Sequence, residues 1–321
     1  MIKVFYFGIG DVPKKAYQNF KNIHNLKIYW GFNPAWDKDW SIDEIQHPKD
    51  LVRDGDELYE ISSSDKLNSV LEEIKPDIGL VVGSYWIFKK EFFSKFRLGV
   101  YNYHPSDLPL FRGSGGITWQ ILHNQKETCV TIHQMNEEID TGKIVIKNKK
   151  FVNEKPKLEE FLQTMKELSV ETIVEFMDKI NDEIEFSEIS TDEKIGNYFP
   201  RLDSKINGAI NWMWEGEEIE IFIRAFAKPY SGAFTFLGKN KINIFQSKFK
   251  KGIEYHPYAF GLIISKNKKD IKISVRGGEL TIPLKEITSE QNIEKSIRLG
   301  SRLWTPYDII DESMAYRPFS K

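Results

Sequence analysis

Gly99-Val100-Tyr101-Asn102-Tyr103-His104-Pro105-Ser106-Asp107-Leu108-Pro109-Leu110-Phe111-Arg112-Gly113 reads as a strand running into a loop. Gly99–His104 has the strand composition, and Pro105, which has no amide proton for a ladder, ends it. Upstream the same unit recurs. Ile78-Gly79-Leu80-Val81-Val82 is a buried strand bounded by Gly83, and Leu26–Trp30 and Ile2–Phe7 are two more. Helical patterns lie between them. Lys14–Asn22 is one and Glu91–Phe96 another. A third starts at Ser62-Ser63-Ser64-Asp65, continues through Leu67, Val70, Leu71 and Ile74, and stops at Pro76. Strands alternating with helices argue for a parallel sheet covered on both faces.

Downstream the character changes. Ile117–His123 reads as a helix, Thr128–Gln134 alternates like a strand, and Gly142 precedes another strand, Lys143–Ile146. An apolar stripe from Leu158 to Ile180 marks a long amphipathic helix, which is core packing. Ser190–Lys205 is polar and aperiodic and is read as a linker. Glu217–Ala227 is helical. Short strands follow at Ala233–Leu237, Ile242–Phe249, Leu262–Ser265, Ile271–Val275 and Leu280–Pro283, with turns at Gly238, Gly252 and Gly277-Gly278. That spacing predicts a small β-barrel or sandwich. The expected domains are 1–189, a linker over 190–205, and 206–321.

Composition excludes several classes. With 321 residues the prior is two domains, and 40% hydrophobic content is too high for a disordered chain. The formal charge of -2, from 45 Lys+Arg against 47 Asp+Glu, gives no support to a general nucleic-acid binder. Cys129 is the single cysteine, so no intrachain disulfide forms and a reducing, cytoplasmic setting is expected. Met1-Ile2-Lys3 leads straight into a strand, so no signal peptide is expected, and no apolar run approaches the ~18 residues a membrane span needs.

Asn102 and His104, two apart at a strand end, share one face. Strand ends opening into loops are where open α/β sheets bind ligands. An amide can hold a developing oxyanion and an imidazole can move a proton, a workable pair for acyl transfer. A carboxylate from Asn136-Glu137-Glu138-Ile139-Asp140-Thr141-Gly142 could orient the imidazole. By themselves these residues are more often simply hydrogen-bonded loop and turn positions, and no spacing joins Asp140 to His104. Gly8-x-Gly10 lacks the third glycine of a dinucleotide fingerprint and reads as a tight turn. His24, His47, His123, His133 and His256 have no metal-ligand spacing, so no metal is expected. Cys129 reads as core, and Lys248-Phe249-Lys250-Lys251 as a solvated hairpin end.

Asn102-x-His104-Pro105-Ser106-x-Leu108-Pro109-x-x-Arg112-Gly113 resembles the signature of the 10-formyltetrahydrofolate-dependent formyltransferases. Thr128-x-Val130-Thr131-Ile132-His133-Gln134-Met135 and Ile139-Asp140-Thr141-Gly142 resemble the family's second block. Ile223-Arg224-Ala225-Phe226-x-x-Pro229-Tyr230-x-Gly232-Ala233 is similar to the start of the C-terminal domain in methionyl-tRNA formyltransferase and in the domain acting on UDP-4-amino-arabinose. Leu299-Gly300-Ser301-Arg302-Leu303 is similar to the latter near its end. The resemblance implies a Rossmann-like catalytic domain with a mostly parallel sheet and a smaller β-rich, OB-like C-terminal domain. It implies that Asn102 stabilises the tetrahedral intermediate, that His104 transfers the proton, and that Asp140 raises the pKa of His104. It puts the pterin of the folate at Tyr85-Trp86-Ile87-Phe88 and at Asn136, Glu137, Glu138, Ile139 and Asp140. Arg112, Gly113 and Arg201 are candidates for the acceptor substrate. Where the amino-arabinose enzyme has a folate-binding arginine this chain has Ser114, followed by Gly115-Gly116.

The expected reaction is formyl transfer from 10-formyltetrahydrofolate to the primary amine of an amino-sugar nucleotide, dTDP- or UDP-linked, of the kind used in O-antigen, lipopolysaccharide or other surface polysaccharide. Methionyl-tRNA is the alternative acceptor. Charge favours the sugar. Pro34–Glu57, which matches a basic tRNA-binding insertion in methionyl-tRNA formyltransferase, has eight acids (Asp37, Asp39, Asp43, Glu44, Asp50, Asp54, Asp56, Glu57) against Lys38, Lys49 and Arg53, a net of -5. Against this, residues 206–321 hold 18 Lys+Arg and 13 Asp+Glu, a net of +5. Trp36, Trp40 and Tyr230 are candidates to meet a nucleobase. The assembly stays open between monomer and homodimer.

Overall fold

Val4, Phe5, Tyr6 and Phe7 are all fully buried, so the first strand needs cover on both faces and a neighbour on each edge. The computed structural model supplies both. It describes residues 1–21, 23–40, 47–114, 116–190, 196–291, 293 and 296–318, the side chains of 38–40 excepted. Asp43, Glu44, Gly115, linker positions 191–195 and the Trp40 side chain thus lie outside the described residues.

The first half contains β1 (Ile2–Gly8), α1 (Asp11–Gln18), β2 (Leu26–Phe32), α2 (Pro34–Trp40), β3 (Glu57–Glu60), α3 (Ser64–Ile74), β4 (Ile78–Val82), α4 (Lys90–Phe93) and β5 (Val100–His104). β6 (Phe111–Arg112), α5 (Gly116–Leu122), β7 (Glu127–Gln134), β8 (Ile144–Phe151) and α6 (Leu158–Asn181) follow. A seven-stranded sheet forms in the order β3-β2-β1-β4-β5-β7-β8. Its first five strands are parallel. β5 pairs antiparallel with β7, and β7 with β8. One face packs on α1 and α6 through Tyr6, Tyr17, Trp30, Tyr101, Tyr103 and Phe176, the other on α3 and α4 through Phe5, Phe7, Leu67, Val70, Phe92 and Phe96.

The second half contains β9 (Asn197–Tyr198), α7 (Ser204–Asn207), α8 (Gly216–Ala225), β10 (Ala233–Leu237), β11 (Asn240–Ile244), β12 (Lys248–Lys251), β13 (Ile263–Lys266), β14 (Asp270–Val275), β15 (Gly278–Pro283), β16 (Ile287–Thr288), β17 (Leu303–Trp304) and α9 (Tyr307–Ala315). Two antiparallel sheets, β16-β11-β10-β17 and β12-β15-β14-β13, enclose a core of Ile242, Ile244, Ile263, Ile271, Ile273, Val275, Leu280 and Ile282. Ile121 of α5 and Leu158 and Phe161 of α6 join that core, so the two halves share apolar packing. Arg224 of α8 also donates to Asn124 Oδ1 at 2.8 Å.

Three readings from sequence change. α2 and β3 were not foreseen: β3 is Glu-Leu-Tyr-Glu, too short and too acidic to signal a strand. The single strand expected over Ile242–Phe249 is two, because β11 pairs with β10 and β16 whereas β12 crosses to pair with β15 in the other sheet. α1 begins earlier than expected, at Asp11. That start is latched by a buried ion pair. Lys14 Nζ lies 2.6 Å from Asp37 Oδ2, and Asp37 Oδ1 accepts the Gly10 amide at 2.8 Å. The Gly8-Ile9-Gly10 turn is therefore a structural turn tied to α2.

Removing one partner of a buried pair strands the other charge, at about 3–5 kcal/mol. Lys14→Met should lower the free energy of unfolding in urea by that order and the midpoint with it, and adding Asp37→Leu should recover part of the loss. A Lys14→Met midpoint equal to wild type would show that the pair does not hold the turn.

Candidate active site

The β5–β7 ladder sets Asn102 opposite His133 and His104 opposite Thr131. Directly opposed residues of an antiparallel pair project to the same face. All four side chains therefore converge beyond the carboxyl end of β5. Asn102 Nδ2 lies 3.2 Å from His133 Nε2. His104 and His133 are buried, their ring centroids 6.3 Å apart.

The loop after β5 is a rigid template. Ser106 carbonyl accepts the Thr131 hydroxyl at 2.7 Å, the Phe111 amide donates to Asp107 carbonyl at 3.0 Å, and Lys147 Nζ donates to Leu108 carbonyl at 2.8 Å. Asp107 is ion-paired with Lys147 and Lys149 on β8. The product of this bracing is the Phe111 carbonyl, which takes hydrogen bonds from Ser106 Oγ at 2.6 Å and His104 Nε2 at 2.9 Å. A carbonyl only accepts, so Nε2 carries a proton and Nδ1 is the nitrogen left to gain and lose one.

Asp140 supplies the carboxylate. Its Oδ2 lies 3.7 Å from His104 Nδ1, its Oδ1 lies 3.5 Å from His133 Nε2, and Oδ2 accepts the Gly113 amide at 2.8 Å. Burial by itself would raise this carboxyl; the His104 and His133 rings and the Gly113 N–H outweigh it and hold it well below the usual carboxylate range. Asp140 has φ 55°, a left-handed conformation that Asp tolerates better than most residues. Two glycines make the placement feasible. A Cβ on Gly113, whose φ is +94°, would lie 2.4 Å from the Phe199 carbonyl, and one on Gly142 would lie 1.6 Å from the Gln134 carbonyl.

The other expected site residues divide. Trp86 stacks on Phe7 and meets Trp36 edge-on, Tyr85 meets Trp36, and Phe88 stacks on Phe92. These rings, Trp36 included, are committed to one another. Ile87 (67% exposed) and Ile139 (46%) instead leave apolar surface open on the two loops. Asn136 Oδ1 closes its loop by accepting the Glu138 amide and the Thr141 hydroxyl, with Glu137 and Glu138 in solvent. Arg112 donates to Gly196 carbonyl at 3.2 Å, and its buried Nε has no partner among the described residues. The Arg201 guanidinium lies 5.9 Å from the Tyr85 ring centre. A cavity of about 320 Å³ is lined by Arg201, Tyr230, Thr118, Ser204 and neighbours; Asn102, His104 and Asp140 are not among its walls. Sequence reasoning missed His133. Its signal was the polar pair Thr131 and His133 alternating with core residues Val130 and Ile132.

Residues 46–177 match the formyl transferase family and residues 204–298 match the formyl transferase C-terminal domain, together more than two thirds of the chain. The bifunctional polymyxin resistance protein ArnA of Wigglesworthia glossinidia brevipalpis is 27% identical over 279 residues, 78% of this chain and 41% of that protein. This chain thus spans less than half of that relative. The methionyl-tRNA formyltransferase of Marinobacter nauticus is 29% identical over 239 residues, 74% of this chain and 75% of the relative. Among solved structures, WlaRD, a sugar 3N-formyl transferase crystallised in the presence of dTDP and 5-N-formyl-THF, superimposes with a TM-score of 0.61 at 18% identity, covering 91% of this chain and 99% of WlaRD.

The depressed carboxyl has a consequence for stability. Unfolded, Asp140 titrates near about 3.9; folded, lower. Its contribution is complete above the unfolded value and is lost as pH falls toward the folded one. Asp140→Asn should therefore unfold at lower urea than wild type at neutral pH, and the gap should close below about pH 4. A gap unchanged from pH 7 to pH 3 would mean that the charge does not contribute.

Proposed function

The chain belongs to the formyl transferase family, and from that premise we propose that it transfers a formyl group from 10-formyltetrahydrofolate to the primary amine of an amino-sugar nucleotide. The observation carrying the chemistry is the convergence of Asn102, His104 and Asp140, from one strand end and one hairpin loop, at 3.7 Å between imidazole and carboxylate. The folate reading is supported by Ile87 and Ile139, which present apolar surface on the two loops expected to hold the folate. When bound it supplies the activated formyl group. Asn102 then offers an N–H to the carbonyl oxygen as charge develops there. His104, with Nε2 held by the Phe111 carbonyl, takes the proton of the attacking amine on Nδ1, and Asp140 stabilises the imidazolium. The new C–N bond to the amine forms, the formyl carbon leaves the folate nitrogen, and the proton returns to that nitrogen.

Relatives in fold support the acceptor class. WlaRD was crystallised with dTDP, and an N-formyltransferase from Helicobacter canadensis, at a TM-score of 0.56 and 18% identity, with folinic acid and dTDP-3-aminofucose. The acidic Pro34–Glu57 segment favours the same choice, with its field softened: Lys14 pairs with Asp37 and Lys27 with Glu57, taking back two of five net negative charges. Methionyl-tRNA is the second reading, favoured by the exposed lysines Lys248, Lys250 and Lys251 of β12 and by the Marinobacter relative.

Asn102→Ala should lower turnover by roughly 10²–10³, and His104→Asn by about 10²–10⁴, with folate affinity little changed. Near-normal turnover in folded His104→Asn enzyme would sink the assignment. Amino-sugar nucleotides incubated with 10-formyltetrahydrofolate should gain one formyl group by mass spectrometry; faster formylation of methionyl-tRNA than of every sugar tested would replace the acceptor proposed here.

A further inference from the structure

His133 is almost wholly buried and sits in a strand whose neighbours on the other face are core. Both its ring nitrogens are engaged. Nδ1 lies 3.1 Å from the Gln134 carbonyl, which can only accept, so Nδ1 carries the proton. In the neutral ring Nε2 then offers a lone pair; in the protonated ring the same nitrogen would donate toward the Asp140 carboxylate. Its nearest polar neighbour is the Asn102 amide at 3.2 Å, closer than the Asp140 carboxylate at 3.5 Å. A lone pair accepts only from the NH₂ end of that amide.

That contact decides which end of Asn102 reaches the reaction centre. An amide has two ends of similar shape and opposite polarity. Turned one way, Nδ2 gives one proton to His133 and keeps a second for an oxygen gathering negative charge. Turned the other way, it presents a carbonyl, which would repel that oxygen. We propose that His133 is a positioning residue, whose Nε2 lone pair, backed by the Nδ1–Gln134 hydrogen bond, holds the Asn102 amide with its N–H toward the developing oxyanion. The inference rests on the formyl-transfer reading above. His133 touches no reacting atom, so its effect passes through Asn102.

The test is a double-mutant cycle measured with 10-formyltetrahydrofolate and the amino-sugar nucleotide that wild type turns over fastest. His133→Leu keeps the site filled and apolar and removes the lone pair; kcat should fall about 10–100-fold, a part of what losing the amide costs. KM for both substrates should stay within about twofold, because neither substrate is bound through the lost contact. His133→Gln, which restores an acceptor oxygen, should recover most of the loss. In an Asn102→Ala background, His133→Leu should cost nothing further. Equal losses in both backgrounds, a loss expressed in KM, or His133→Leu turning over like wild type would each overturn the inference. Absence of formyl transfer by wild type on every acceptor would instead defeat the reading on which it stands.

Discussion

Asn102 faces His133 and His104 faces Thr131 because β5 meets β7 antiparallel in one register, and the site exists only in that register. Strand side chains alternate, so a slip of one residue would carry Tyr101 and Tyr103 to the working face and bury the amide and imidazole. The opposite face prevents it. Tyr103 hydrogen-bonds Ser169 of α6 at 2.7 Å, and Tyr101 packs on Phe176 and Phe186. Each ring buries enough apolar surface to be worth about 1.5–3 kcal/mol. The register is therefore enforced by packing on the far side of the sheet, away from the chemistry it arranges.

Much of this was legible. The alternating strands and helices, the Asn102/His104 pair on one face and the β-rich second half follow from local pattern. Asp140 was readable only by family likeness, because its approach to His104 depends on a hairpin turning back across β7. His133 was passed over for a related reason: it is 31 positions from Asn102, and only the register joins them. α2 and β3 escaped because tertiary contacts make them. The Lys14–Asp37 pair and the two-strand pairing of β3 on β2 have no counterpart in local propensity.

The site's electrostatics follow from numbers of groups. One carboxylate faces two imidazoles at 3.5 and 3.7 Å in a setting largely closed to water. The hydrogen bonds separate the two. His104 has its Nε2 proton committed to Phe111 and its Nδ1 turned to Asp140. His133 has its Nε2 facing the Asn102 amide. The two similar rings thereby differ in their backbone partners, Phe111 and Gln134.

The segment between the halves is part of this arrangement. β9 pairs with β6 next to Gly113, the Phe199 amide bonds the Arg112 carbonyl at 2.8 Å, and Trp119 Nε1 bonds the Pro200 carbonyl at 2.8 Å. Arg201 then reaches over Tyr85. Gly113 is pinned from two sides: its amide holds Asp140, and its Cα faces the Phe199 carbonyl so closely that no side chain fits. Residues 196–201 therefore form a wall of the site. The polar, aperiodic composition that reads as a linker is the composition of an extended stretch satisfied by hydrogen bonds to other elements, and sequence pattern alone does not separate the two. Residues 196–201 abut Gly113, whose amide holds the Asp140 carboxylate.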